Sequence, residues 1–353
     1  MSFNLTQLNT DLGAYARVNT RQIVRRAIYN HLRPTPEQPI GLHDILRYRF
    51  MKDQEAFQRM DFTVDIRESD TNVTEQTDPV VNLSGAIRSI KDFEHISRFN
   101  PYALENTYED HLRDMQRKFR DEPELADVEF VNWLFDEIIG RFIESMMTIS
   151  VISGEYQSSF AYADSWAKAF DGVLKVVNNH IDSGEITNVV TTGNITNANA
   201  YAELEKVGNA QPNYMRGQDL FLICSLQVSQ WYNFDYRNTW PGSNPSLHPM
   251  YGQYRLEDSP NVTIVPVPEM NGQPTVTILT PANNFNLNND YRSTNQQGED
   301  GSSEGSAANL LGPQMSFLPI NVKEIQYMLR HGAGVSLDNF DHVVVNDVAD
   351  QTA

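Results

Sequence analysis

The chain has 353 residues, 40% of them hydrophobic, with 19 Gly and 17 Pro, a globular composition that excludes collagen-like and disordered chains. Its 46 acidic residues against 27 basic ones give a net charge of −19, and its one cysteine excludes an internal disulfide and a cysteine-based zinc site. No stretch approaches the roughly 20 apolar residues of a membrane helix, and residues 1–10 lack the basic-then-apolar order of a signal peptide.

At roughly 100–200 residues per domain the length predicts two structural domains, or one with large excursions. The first predicted element is a helix over residues 20–32, with Ile23, Ala27 and Leu32 on one side and arginines on the other. It ends before Pro34, because proline disfavours helical geometry in the residue preceding it. Pro34, Pro36 and Pro39 then form a stiff connector. One helix on such a tether has little core of its own and must pack on something else. This segment is also basic. Residues 1–60 carry nine basic side chains (Arg17, Arg21, Arg25, Arg26, Arg33, Arg47, Arg49, Lys52 and Arg59) against five acids, a balance of +4. Residues 61–353 hold 18 basic and 41 acidic residues, a balance of −23. An acidic body argues against direct nucleic-acid binding, which needs a basic footprint.

From residue 45 to about 96 the pattern becomes alternating. Phe62, Val64 and Ile66 interleave with Asp61, Thr63, Asp65 and Arg67, the period of a half-solvated strand. A polar run at 68–78 follows before Val80, Val81 and Leu83. These features predict a long, charged β-hairpin or loop too poor in large apolar residues to stand alone. A shorter helix of mixed charge fits 100–120. The most periodic element starts at Pro123, where Val131, Leu134, Phe135, Ile138, Ile139, Phe142, Met146 and Ile149 recur at helical steps. Run to about Ser153, it spans roughly 45 Å at 1.5 Å per residue, a spine.

Ser153-Gly154 ends that spine. Beyond it the sequence predicts a helix over 164–180, a short strand at 188–191 and a helix at 197–206. A strand at 220–224, a helix at 226–236 and strands at 262–267 and 275–279 follow. Helices and strands mixed in this order read as a compact α/β lobe. Residues 283–309, rich in Asn, Ser, Gly and Gln, read as a surface insertion or a mobile loop. Strands at 319–330 and 343–345 close the chain.

Catalytic signals are sparse. Gly301-Ser302-Ser303-Glu304-Gly305 fits the G-x-S-x-G nucleophile elbow, but that chemistry needs the serine on a sharp strand-to-helix turn. No apolar strand precedes it here, so coincidence is the better reading of Ser303. The eight histidines form no pair at metal-ligand spacing. Gly332-Ala333-Gly334 lacks the rest of a phosphate-binding loop. Cys224, after Phe221-Leu222-Ile223, reads as a buried and inert strand residue. No catalytic, metal or cofactor-binding residue is assigned, and the chain is expected not to be an enzyme.

Four stretches carry a family resemblance. Ala169-Phe170-Asp171-Gly172-Val173-Leu174 resembles a D-G-[IVL] turn into a lobe, and Met215-Arg216, after Gln211-Pro212-Asn213-Tyr214, resembles a segment preceding a buried strand. Residues 262–270 and 278–285 resemble a V-P strand and the L-T-P stretch that follows it. In this order, behind a spine helix, they resemble the major capsid proteins of tailed double-stranded DNA phages, the Hong Kong 97-type fold, over about residues 40–350. Asp258-Ser259-Pro260-Asn261 departs from that pattern where a glycine is usual. No coiled-coil scaffolding segment precedes the arm, which implies an untrimmed chain or a separately encoded scaffold.

The resemblance implies an α+β, Hong Kong 97-like phage capsid fold. Its parts would be an N-terminal arm at 1–40, an E-loop (extended β-hairpin) at 41–97 and a peripheral domain with the spine helix at 98–163 and 320–353. An axial α/β domain would occupy 164–319, with the Asn/Ser/Gly-rich insertion at 286–310. The resemblance further implies a virion shell protein, assembled in the bacterial host cytoplasm as hexamers and pentamers of an icosahedral head. Its partners would be itself and portal, scaffolding and decoration proteins, with double-stranded DNA enclosed but not specifically bound. The charge split nominates Arg17, Arg21, Arg25, Arg26, Arg47, Arg49, Lys52 and Arg59 as subunit-interface residues. No cofactor and no membrane contact are expected. Two alternatives stay open: an encapsulin-type nanocompartment shell, and an intracellular α/β hydrolase using Ser303.

Overall fold

The computed structural model describes residues 40–51, 54–62, 81–99, 138, 140–142, 144–159, 166–247, 254–272, 275–290, 314–321 and 324–347. The expected arm helix, the polar run 68–78, the helix at 100–120, most of the spine and residues 291–310 lie outside them. So do Arg17, Arg21, Arg25, Arg26, Lys52 and Ser303.

Among the described residues the strands are β1 (Arg47–Met51), β2 (Gln54–Phe62), β3 (Val81–Ser89), β4 (Lys91–Phe99), β5 (Val189–Val190) and β6 (Leu220–Ser225). They continue with β7 (Val262–Val267), β8 (Thr277–Pro281), β9 (Phe285–Asp290), β10 (Gln314–Asn321), β11 (Glu324–Leu337) and β12 (Val344–Asn346). Three helices of ten or more residues are α1 (Val173–Asp182), α2 (Ala200–Asn209) and α3 (Leu226–Thr239).

The lobe is built on a sheet of order β5-β12-β8-β6-β7. Its strands read as nearly continuous apolar runs because both faces are covered. Leu220, Leu222 and Cys224 of β6 pack with Leu204 and Val207 of α2 and with Val228 and Tyr232 of α3. Ile223 of the same strand, with Val265 and Ile278, turns to the other side and meets Phe170, Val173 and Val177. Ser225 stops β6 and starts α3 in one residue: its Oγ accepts the Val228 N–H at 3.1 Å, the usual helix cap. Asp235 on α3 accepts the Tyr201 N–H at 2.9 Å. A carboxylate from one helix thus meets the positive end of another.

The second sheet has the order β1-β9-β11-β10, with β4 also on β11. Gln326 of β11 faces both Leu318 of β10 and Arg98 of β4, while Ala333 faces both Asn289 of β9 and Lys91 of β4. β10 and β9 therefore follow one another along the edge opposite β4. Strands β2 and β3 pair antiparallel from Gln54↔Ser89 to Phe62↔Val81, which is the predicted hairpin.

Three expectations need correction. The helix placed at 164–180 is a short turn (Trp166–Lys168) and then α1, which starts at Val173. The break is at Gly172, where a Cβ would lie 2.5 Å from the Ser150 carbonyl oxygen and 2.7 Å from that of Ile152. Extended backbone there donates to Gly154 O at 2.8 Å, just after the spine ends at Ser153. Second, the insertion expected from 286 begins as strand β9, with Asn286, Asn288 and Asn289 buried. Their amides bond inside the fold, Asn288 Nδ2 donating to Ser336 Oγ at 2.9 Å, so asparagine content here does not mark a loop. Third, the single strand expected at 319–330 is the hairpin β10–β11, and β11 continues through Gly332-Ala333-Gly334. A Cβ on Gly334 would sit 2.5 Å from the Ser89 carbonyl oxygen. Sheet membership, for its part, does not follow sequence order. β12, from the 320–353 segment, pairs with β5 and β8 of the lobe, whereas β9, from 164–319, joins the second sheet.

Gly172→Ala is expected to lower the unfolding free energy by about 1–3 kcal/mol through overpacking. Urea unfolding measures it, with Gly217→Ala, where nothing lies within 4 Å of the new Cβ, as the neutral comparison.

Candidate functional site

The hairpin leaves the body where β1, β3 and β9 meet the end of β11. There Asp338 gathers three partners. Arg49 Nη2 donates to Asp338 Oδ2 at 3.1 Å, Asn286 Nδ2 donates to Oδ1 at 2.6 Å, and Arg88 Nη2 donates to the same Oδ1. Arg49 Nε also donates to Asn286 Oδ1 at 2.8 Å. Asp338 is held in turn by its own N–H, which donates to Asn284 O at 2.9 Å. The Arg88 side chain is only 4% exposed, so its charge has left water and this carboxylate is one of the groups that replace the solvent.

Of the interface residues nominated from charge, Arg49 has its carboxylate partner within its own chain. Arg47 is exposed on β1, and Arg59 occupies a β2 position opposite Ser84. The other five nominated residues lie outside the described residues. Arg88 and Asp338 were not nominated. Asp338 is 250 residues from Arg88 and 289 from Arg49, so no local spacing could have shown the pairing.

The register sorts the hairpin into two faces, since directly opposite positions share a face. Gln54↔Ser89, Ala56↔Ile87, Gln58↔Gly85, Met60↔Leu83 and Phe62↔Val81 fall on one face; Glu55↔Arg88, Phe57↔Ala86, Arg59↔Ser84 and Asp61↔Asn82 fall on the other. Among the described residues neither strand pairs with any third strand. An isolated two-stranded ribbon is marginally stable in water.

The buried ionisable groups of the lobe serve as structure. Glu205 takes Tyr232 OH at 2.8 Å and the Glu257 and Asp258 N–H groups at 2.8 and 3.2 Å, tying α2 to α3 and to the loop before β7. Burial holds its carboxyl above the usual range, and burial beside Glu205 holds the Tyr232 hydroxyl above its own. The Cys224 thiol is pushed up to about 12 by burial, which leaves it un-nucleophilic at neutral pH. Among the described residues, no group of three or more His, Cys, Asp or Glu could hold a metal ion. No helix there is long and apolar enough to cross a membrane.

Asp338→Leu is expected to cost about 3–5 kcal/mol by taking a carboxylate away from the buried Arg88 charge and from Arg49 and Asn286. The double variant Arg88→Leu/Asp338→Leu is expected to lose less, and a double-mutant cycle in urea reads the coupling.

No protein-family model matches the chain, and no curated protein matches it. Solved structures do match its backbone. The satellite phage P4 procapsid, which includes the size determination protein, aligns at TM-score 0.50 and 10% identity, over 92% of this chain and 98% of that one. The cyanophage A-1(L) capsid aligns at TM-score 0.50 and 11% identity, over 88% of this chain and 92% of that one. The holo-SrpI encapsulin complex of Synechococcus elongatus aligns at 0.46 and 14%, over 92% and 95%. At such identities the likeness is one of fold. The mixed α and β architecture of this chain is the fold of phage capsid proteins.

Proposed function

We propose that this chain is a shell-forming structural protein, the major capsid protein of a tailed double-stranded DNA phage. Copies assemble in the host cytoplasm as hexamers and pentamers of an icosahedral head. The observation that carries the reading is the backbone likeness to phage capsid chains over most of both partners. It is an inference from fold to function. Two features of this chain support it independently. The ribbon β2–β3 is an antiparallel pair that joins no third strand among the described residues, in the manner of an E-loop. The charge split supplies the second: a basic segment of +4 on a body of −23 favours contacts between copies.

In this reading the arm arginines Arg17, Arg21, Arg25 and Arg26 pair with acidic surface on adjacent subunits, as do Arg47, Lys52 and Arg59 around the hairpin. The acidic body encloses DNA without gripping phosphate. Portal, scaffolding and decoration proteins are the expected partners.

The purified chain is expected to sediment as megadalton particles of uniform diameter, visible in negative stain; a monomer or small oligomer would sink the reading. Nuclease-protected double-stranded DNA inside native particles supports the phage head, whereas a protein load without DNA supports an encapsulin-type compartment. Reversing Arg21, Arg25 and Arg26 to Glu together is expected to lower particle yield and weaken its salt resistance. Unchanged yield would remove the arm from the adhesive contacts.

A further inference from the structure

We propose that the carboxylate of Asp338 sets the angle at which the ribbon β2–β3 leaves the body, and through it the angle between neighbouring copies and the diameter of the shell. The inference rests on the shell-subunit reading, in which the ribbon reaches an adjacent copy, and it assigns the positioning of that contact to one residue.

The ribbon has two legs, and each changes partner over a very short stretch. Residues 52 and 53 separate β1 of the second sheet from β2, and Ile90 alone separates β3 from β4. The first ribbon pair, Gln54↔Ser89, lies at these two connections. Both legs are tied to the same carboxylate. Arg49 Nη2, two residues before β1 ends, donates to Oδ2 at 3.1 Å, and Arg88 Nη2, one residue before β3 ends, donates to Oδ1. The carboxylate is itself fixed to the body. Asp338 N–H donates to Asn284 O at 2.9 Å, Asn339 N–H donates to Asn284 Oδ1 at 2.9 Å, and Asn284 Nδ2 donates back to Asn339 O at 3.0 Å. Asn286 Nδ2 adds a bond to Oδ1 at 2.6 Å. Gly334 sets the distance of approach: a Cβ there would lie 2.5 Å from the Ser89 carbonyl oxygen, so the β3 leg rests on the backbone of β11.

The ribbon acts as a lever on this root. Nine residues of β2, at about 3.4 Å each, carry its far end about 30 Å away. A tilt of about 10° at the root displaces that end by about 5 Å, the spacing of two neighbouring strands. An error of that size moves a contact by a whole strand, so copies repeat one geometry only if the root is stiff. Among the described residues neither ribbon strand has a third strand to hold its direction, so among these residues the root is where direction is set. A contact between two different surfaces repeats from copy to copy and closes only at the rotation its geometry allows. A narrow range of root angle therefore gives one closed shell, and a wide range gives several. Setting the angle in the free chain also removes an ordering cost from association.

The test uses the full chain and reads particle diameter by negative-stain microscopy and light scattering, with hydrogen exchange on the free subunit. Asp338→Asn keeps the size of the side chain and removes its charge. It is expected to speed amide exchange over residues 81–89 and to replace one uniform diameter by a broad or multiple distribution. Arg49→Gln loosens one leg and leaves Arg88 its carboxylate, so it carries the same test, with a smaller broadening, should the asparagine variant fail to fold. Gly334→Ala is expected to act differently: pushing the β3 leg aside in one direction, it shifts the mean diameter more than the spread. Val228→Ala opens a cavity in the other core cluster; it lowers stability without touching the root and is expected to leave the diameter unchanged. Wild-type diameter and spread in both the Asp338→Asn and the Arg49→Gln particles would overturn the inference and leave the shell reading standing. Broadening no greater than that of Val228→Ala would overturn it as well, since loss of stability would then explain the effect. A wild-type chain that forms no particles overturns both readings.

Discussion

Asp338 is the point at which distant parts of the chain are forced into one arrangement. A guanidinium removed from water cannot be left alone: its desolvation costs several kcal/mol unless an opposite charge and hydrogen bonds replace the solvent. Arg88, near the end of β3, is in that position. Its carboxylate comes from the residue after β11, and the same carboxylate takes Arg49 from β1 and Asn286 from β9. The ribbon β2–β3 is therefore not hinged loosely on the body. Its root is fixed by a charge pair that forms only when β1, β9 and β11 are in register. Gly334 enforces the same junction sterically, because the β3 end passes where its side chain would be.

From that junction the chain passes into the lobe through the turn Phe340–His342 and ends in β12. This strand is short, yet Val343, Val344 and Val345 are fully buried, with Val344 facing one core cluster and Val343 and Val345 the other. Asn346 then closes the polar ledger around it. Its Oδ1 accepts Thr277 N–H at 2.9 Å and its Nδ2 donates to Thr275 O at 2.7 Å. Satisfied polar groups of this kind fix register where apolar packing alone would tolerate a slip. The two sheets are thus stitched together by the last strand, and this is why a division by sequence segment did not follow sheet membership.

What was legible in the sequence is what local physics determines. β6, β7 and α3 announce themselves because a strand covered on both faces must be apolar throughout, and because Ser225 is both the last strand residue and a helix cap. The spine's end at Ser153-Gly154 was legible for a similar reason. Strand β9 was not. Its asparagines look like solvated loop residues until Asp338, Ser336 and Asn339 are brought beside them. Nor was the break at Gly172, since the D-G turn is compatible with a helix until the carbonyls of Ser150 and Ile152 press on it. Arg49 shows the limit most directly. Its sign nominated it for a contact between copies, but sign cannot tell a partner in the same chain, here Asp338, from one in the next.

That distinction bears on how an acidic protein could assemble at all. Copies carrying −19 each repel at distances up to about the Debye length of 8–10 Å at physiological salt. Non-specific association is thereby discouraged, and adhesion must come from places where the repulsion is locally removed. Arginines consumed internally, such as Arg49 and Arg88, do nothing for this purpose. The surfaces that can serve are those where apolar area is left exposed, or where basic residues project from the body. An assembly held by several such weak contacts forms only when the geometry engages them together. Backbone geometry is therefore the quantity to be preserved, while side chains are free to change, and a chain at 10–11% identity to phage shell proteins can share their fold at TM-score 0.50.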